Sequence, residues 1–229
     1  MCARFTQHHT AAQITERFKV ARVLFFAGPR FNIAPTQTVA VVMQESERVL
    51  AGCRWGLIPS WAKDASRASK LINARAETLA EKPSFRQALA RRRCLIPADG
   101  FYEWKAEGKA RQPWHIRLKE NRLFALAGLW EEWRGLAGAP WRTCTIVTVM
   151  PNTLIASIHQ RMPAILRPEH EAGWLDSTVN DAAELTRWLQ PYPSEEMELF
   201  RVSRRVNSAA IDEAGCLEPE GQQDFEALI

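Results

Sequence analysis

Cys94-Leu95-Ile96-Pro97-Ala98-Asp99-Gly100-Phe101-Tyr102-Glu103-Trp104 contains two short runs of strand-forming residues, 94–97 and 101–104, within one stretch of chain. Similar runs stand on both sides. Residues 38–43 and 49–55, with polar residues between them, read as a hairpin, and 114–118, 123–129, 143–149 and 199–202 follow as further strands. Helices separate these runs. Ala11, Ile14, Phe18, Ala21 and Phe25 recur at three- and four-residue steps and predict an amphipathic helix over 10–26, stopped by Gly28-Pro29. Helices are also expected at 84–92, 152–158, 168–175 (with Pro168 in its first turn) and 181–189. Many short strands at hairpin spacing, with helices inserted, indicate an α+β fold built on antiparallel sheet. No repeat or low-complexity linker divides the chain, so one domain is expected over 1–207, followed by an acidic tail at 208–229.

Composition removes several classes. The chain has 229 residues, 46% hydrophobic and 24% charged, which excludes wholesale disorder. No run approaches the roughly 18–20 apolar residues of a membrane span, and the N-terminus lacks a signal-peptide core, so a cytoplasmic protein without a membrane partner is expected. Five cysteines, an odd number with no C-x-x-C pair, argue against a disulfide framework and a zinc site; no metal is expected. The net charge of +4 hides an asymmetry: residues 206–229 carry six acids and no Lys or Arg, leaving +10 on residues 1–205. A basic body attracts polyanions, nucleic acid foremost; a dispersed basic surface with a frayed acidic end is the plain alternative.

Position 2 carries distinctive chemistry. Removal of Met1, the usual fate of an initiator before a small residue, leaves Cys2 with a thiol and a free α-amine on one residue. The amine, with an ordinary pKa of about 7.7–8, is partly neutral near pH 7. A 1,2-aminothiol condenses with an aldehyde through the amine, and the thiol then closes a stable five-membered thiazolidine. Three other segments place polar groups among apolar ones. In Leu71-Ile72-Asn73-Ala74-Arg75, an extended backbone puts Asn73 and Arg75 on one face. Glu103 lies between Tyr102 and Trp104, where desolvation raises a carboxyl pKa toward acid–base use. His159 and Arg161 follow a short helix. Each also fits a bland role: a turn cap for Asn73, a strand-face ion pair for Glu103, a hydrogen-bonded helix end for His159. Of the nine tryptophans most suit the core, while Trp61, in a polar loop, suits exposure and stacking on unpaired bases.

Taken in order, Met1-Cys2-Ala3-Arg4-Phe5, Phe31-Asn32-Ile33-Ala34-Pro35, Trp55-Gly56-Leu57-Ile58-Pro59-Ser60-Trp61, Asn73-Ala74-Arg75-Ala76-Glu77-Thr78, the 93–104 stretch, Phe124-Ala125-Leu126-Ala127-Gly128-Leu129-Trp130, Ile158-His159-Gln160-Arg161-Met162-Pro163 and Val206-Asn207 resemble the SRAP family of SOS response-associated, abasic-site processing proteins. The resemblance implies a single SRAP-type α+β domain with an antiparallel, barrel-like core and inserted helices. It also implies a monomer without cofactor that binds single-stranded DNA and crosslinks an abasic-site aldehyde, with associated lyase and peptidase-like hydrolase activity in the DNA damage response. By position, Cys2 would supply amine and thiol, Glu103 relay protons, His159 assist sugar ring opening and crosslink reversal, and Asn73 orient the adduct. Arg4, Arg75 and Arg161 would neutralise phosphates, and Asn32 and Trp61 line the DNA path. Ala3 departs from the family's usual Gly after the Cys. Two other classes stay open: a hydrolase with Cys2 as nucleophile supported by His159 and Asn73, and a noncatalytic single-strand-binding module.

Overall fold

A computed structural model describes residues 2–66, 68–108, 110–135 and 139–220. The strands are β1 (Phe5–Gln7), β2 (Arg22–Val23), β3 (Arg30–Ile33), β4 (Thr38–Gln44), β5 (Arg48–Trp55), β6 (Asn73–Arg75) and β7 (Arg93–Ala98). They continue with β8 (Gly100–Glu107), β9 (Ala110–Leu118), β10 (Phe124–Trp133), β11 (Trp141–Val149), β12 (Met162–Pro163), β13 (Ile165–Leu166) and β14 (Met197–Arg201). The helices are α1 (Ala11–Phe18), α2 (Arg86–Arg91), α3 (Thr153–Ala156), α4 (Pro168–Leu175) and α5 (Ala182–Arg187).

The hairpin expected over 38–55 forms, and further antiparallel pairs extend it. β4 pairs with β5 from Thr38↔Arg54 to Gln44↔Arg48, β7 with β10, and β10 with β11. β4 also pairs antiparallel with β7, in register at Val42↔Leu95, which joins two of these units. The ring then closes where β11 meets β5 in parallel, at Thr143↔Arg54 and Cys144↔Trp55. The result is a five-stranded barrel in the order β5–β4–β7–β10–β11, with one parallel seam in an otherwise antiparallel ring. Its wall is apolar: Val39 to Met43 and Phe124 to Ala127 are buried without interruption. Cys53, Cys94 and Cys144 are also buried here; burial pushes the Cys94 thiol up, and a hydrogen bond to Cys53 together with burial does the same for Cys144. They are packing residues.

A second sheet, ordered β14–β9–β8–β1–β3, lies against this barrel. The chain crosses from one to the other at Asp99, between β7 and β8. Gln7 links the two layers by donating to the carbonyls of Pro97 (2.7 Å) and Ala40 (3.3 Å). The fully buried Asp99 accepts from the backbone N–H groups of His8 (2.6 Å) and His9 (3.3 Å) and faces both imidazoles. Burial alone would raise its pKa, but the combined bonds from His8 and His9 hold it below the usual carboxylate range. Arg93, 4% exposed, donates to the carbonyls of Leu89, Ala90, Trp174, Asp176 and Val179, and so fastens α2 and the end of α4 to the barrel.

The structure corrects the longest predicted helix. α1 runs only over Ala11–Phe18, capped by Thr10 and Gln13 at its start and stopped by Lys19 in the left-handed region at φ 53°. Beyond it the chain is extended, and Ala21, Leu24 and Phe25 donate to the carbonyls of Arg48 and Leu50. Phe25 therefore continues the helical spacing by coincidence and packs on the core from a strand edge. The start of the acidic tail is docked. Asp212 accepts from Arg30 and from the backbone N–H groups of Phe31 and Asn32, and Cys216 is buried beside Tyr102, Val202 and Val206.

Gly100 is needed where the chain changes sheets, because a Cβ there would collide with the imidazole of the buried His115 and press on the Ile116 carbonyl. Gly100→Ala is expected to cost about 2 kcal/mol or more in chemical denaturation. A change within about 0.5 kcal/mol would contradict the packing described.

Candidate active site

The strand β1 brings Cys2 into the protein. Phe5 pairs with Phe101 and Thr6 with Gly100, and the Tyr102 N–H donates to the Arg4 carbonyl at 3.0 Å. Cys2 is fully buried, its carbonyl accepts from Asn73 Nδ2 at 2.8 Å, and its Sγ lies 3.9 Å from the Arg4 carbonyl. Burial, then the neighbouring Glu103 carboxylate, pushes the thiol far above its ordinary pKa. Sulfur is therefore stored as a neutral thiol, and its proton must be removed by a partner. Asn73 stands on β6, an extended segment parallel to β11, with its Oδ1 buried and unpaired among the described residues.

Glu103 is 3% exposed, and burial raises its pKa from the ordinary 4.5 to about 7. The expected direction is observed, but Tyr102 and Trp104 are not on its face of β8. Its cross-strand partner is Trp114, and Cys2 is close enough for mutual charge effects. His159 Nδ1 is 3.9 Å from Glu103 Oε1. The ring sits just after α3, and the residue is held by its own N–H to the Ile155 carbonyl (2.9 Å). Its Nδ1 meets both the Arg161 N–H (3.0 Å) and the Arg161 carbonyl (3.1 Å), so the loop fits either tautomer. Burial lowers the His159 pKa, favouring a neutral ring beside a carboxyl poised near neutrality.

The expected DNA contacts divide into free and engaged groups. Arg75 is exposed and, among the described residues, makes no hydrogen bond or ion pair through its guanidinium. Trp61 is 59% exposed, whereas Trp55 is buried with its Nε1 donating to the Ile72 carbonyl. Arg4 is committed: its Nη1 donates to Asn32 Oδ1 and the Val206 carbonyl, both at 2.7 Å, and the guanidinium lies over Trp104. Asn32 is fully buried, and its Nδ2 serves the carbonyls of Val206, Ser208 and Ile211. In this arrangement Asn32 holds Arg4 and the 206–211 segment rather than lining a surface. Arg161 is also occupied, by a bidentate pair with Glu77 at 2.8 and 2.9 Å. Two contributors were not singled out from sequence. Glu77 lies inside the quoted 73–78 segment, and the exposed Arg111, whose charge acts on His159, lies in β9 without any motif to flag it.

A family model described as SOS response associated peptidase (SRAP) matches residues 1–209. The chain belongs to the SRAP family. It is 47% identical over 212 residues to the abasic site processing protein YoqW of Bacillus subtilis, covering 91% of this chain and 95% of that protein. It is 34% identical over 224 residues to the abasic site processing protein HMCES of Gallus gallus, covering 83% of this chain and 66% of the relative. A crystal structure of a Bacteroides thetaiotaomicron protein superposes with a TM-score of 0.87 at 26% identity, over 95% of this chain and 99% of that one. As an SRAP domain, the chain carries its candidate chemistry at the start of β1, between the second sheet and the β6 and 159–163 segments.

Among the described residues of this SRAP domain, His8, His9 and Asp99 are the trio with metal-ligating side chains close together. Each imidazole Nδ1 already faces one Asp99 oxygen, at 2.7 and 3.0 Å, so the trio is engaged as the anchor between the sheets. No described helix is long and apolar enough to cross a membrane.

The raised Glu103 pKa has a stability consequence. A carboxyl whose folded pKa exceeds its unfolded value stabilises the fold when protonated, and that contribution is lost as pH rises from about 4.5 through about 7. Glu103→Gln is therefore expected to gain up to about 3 kcal/mol over the parent at pH 8 and little at pH 4.5. A difference independent of pH in urea titrations would contradict the shift.

Proposed function

We propose that this chain processes abasic sites in single-stranded DNA by forming a covalent thiazolidine crosslink through Cys2 after Met1 is removed. The observation that carries the reading is the convergence on Cys2 of Asn73, of Glu103 with a pKa of about 7, and, through Glu103, of His159. The SRAP relatives named as abasic site processing proteins support the substrate class.

While residue 1 is attached, the Cys2 nitrogen is an amide and cannot condense; its removal supplies the amine. In the ring-opened form of the lesion, the amine adds to the C1′ aldehyde and gives a carbinolamine. Glu103, protonated about half the time near pH 7, donates a proton to the departing hydroxyl, and water leaves as the protonated imine forms. The resulting carboxylate accepts the Cys2 thiol proton. The thiolate sulfur then bonds to the carbon of the protonated imine and the C=N π pair moves onto nitrogen, closing the ring as a neutral amine with the net loss of one water. His159 assists ring opening of the sugar and, in reverse, crosslink release. An imine not captured by sulfur has an acidic neighbouring carbon, which gives the lyase activity by β-elimination. Asn73 holds the Cys2 carbonyl and offers its Oδ1, unpaired among the described residues, to the adduct. Arg75 is an exposed cation available to phosphate, and Trp61 is an exposed aromatic for an unpaired base. Phosphate and stacking contacts carry little sequence information, which suits recognition of a lesion.

Incubation of the purified protein with single-stranded DNA containing one abasic site is expected to give a heat-stable, slower band on a denaturing gel. Cys2→Ser retains the amine and is expected to form only a borohydride-reducible adduct. A stable band of undiminished yield with Cys2→Ser, or none with the parent, would overturn the crosslinking reading. Cleavage of peptide substrates without any DNA adduct would favour the hydrolase instead.

A further inference from the structure

The proposed reaction needs two halves of the site to keep a fixed spacing: Cys2 with Asn73, and Glu103 with His159. Asn73 belongs to β6, and the chain passes from it directly into the single turn Ala76–Thr78, which carries Glu77. His159 belongs to a different part of the chain, the loop after α3. Glu77 joins the two. Its Oε1 and Oε2 accept from Arg161 Nη1 (2.8 Å) and Nη2 (2.9 Å), the in-plane fork that a carboxylate makes only with arginine. Arg161 Nη2 also donates to the Thr148 carbonyl at 2.6 Å, so the guanidinium is held between β11 and the 76–78 turn. The backbone of the same residue clamps the His159 ring, N–H to Nδ1 at 3.0 Å. A path of hydrogen bonds therefore runs from Glu77 through Arg161 to the imidazole.

We infer that Glu77 is a positioning residue: by fixing Arg161 it sets the orientation of His159 toward Glu103 and ties that loop to the segment that holds Cys2. The inference rests on the proposed crosslinking reaction for its kinetic consequence, but not for its structural one. Arg161 is 11% exposed whereas the Glu77 side chain is 49% exposed, so the carboxylate covers the guanidinium from the solvent side. A residue half in solvent is a weak structural element, and its replacement leaves the barrel core untouched. Glutamine at this position puts an amide N–H against a guanidinium N–H and loses the fork. Aspartate keeps the charge but falls one methylene short.

The test uses Glu77→Gln and Glu77→Asp in the full chain, with two readouts. First, His159 is followed by imidazole NMR as a function of pH. Burial holds its titration low, so Glu77→Gln is expected to release the ring and move the midpoint upward, with Glu77→Asp in between. An unchanged midpoint and tautomer in Glu77→Gln would overturn the inference, whether or not the protein crosslinks DNA. Second, crosslinking is timed at saturating abasic single-stranded DNA. Glu77→Gln is expected to lower the maximal rate about tenfold with little change in the half-saturating DNA concentration, and Glu77→Asp to recover part of it. In a His159→Gln background, Glu77→Gln is expected to have no further effect, because both act on one group. A fully additive loss there would also overturn it, as would a change confined to half-saturation, which would assign Glu77 to setting the availability of the Arg161 guanidinium for DNA phosphate. Absence of any crosslink in the parent would remove the proposed function while leaving the NMR result to judge Glu77.

Discussion

An N-terminus ordinarily frays, and the hydrogen bonds that hold residues 4–6 against β8 remove that freedom. Each neighbouring feature serves the same restraint. Asn73 takes the Cys2 carbonyl, Gln7 reaches into the barrel, and Asp99 gathers the backbone and rings of His8 and His9 where the chain leaves β1. The barrel supplies the rigid body to which this short strand is fastened. A reactive amine and thiol on a loose end would meet an aldehyde in any orientation; on β1 they meet it in one.

The chemistry follows from what burial does to each group. Removed from water, the Cys2 thiol keeps its proton, Glu103 rises to about 7, and His159 falls below its ordinary value. These shifts place an exchangeable proton on the carboxyl at neutral pH and leave sulfur as a donor waiting for a base. The cations are arranged differently. Arg4 and Arg161 are spent on Asn32, Val206 and Glu77, so they organise the site's margin, while Arg75 and Arg111 remain exposed. The excess positive charge of residues 1–205 is therefore partly internal wiring. Part of the acidic C-terminal charge is wiring too: Asp212 meets Arg30, Glu213 meets Arg205 and Glu220 meets Arg201.

Local signals are legible in the sequence and long-range ones are not. α4 spans Pro168–Leu175 as expected because a proline at the first turn marks its start unambiguously. The helix expected over 10–26 ends at Phe18 because backbone partners on β5 outcompete a spacing that only resembles a helical face. β1 and β6, three residues each, are too short for any periodicity to reveal, yet they position Cys2 and Asn73. The parallel seam of the barrel joins segments almost ninety residues apart, and no local pattern encodes it. At the site, residue types name the chemistry of Cys2, Glu103 and His159, but not their partners. The resemblance assigns Asn32 to the DNA path, and only the fold shows it buried with three carbonyl partners on the 206–211 segment. The clamp on Arg161 needs the fold to bring Glu77 across.

Intact-mass and peptide mass spectrometry of the DNA adduct tests the central claim most directly. The chain after Met1 removal, joined to an oligonucleotide carrying one abasic site, should weigh one water less than the sum of its parts. The modified peptide should begin at Cys2, resist borohydride reduction, and leave no Cys2 thiol for alkylation. An adduct mapped to a lysine, or one in which the Cys2 thiol still alkylates, would contradict the account.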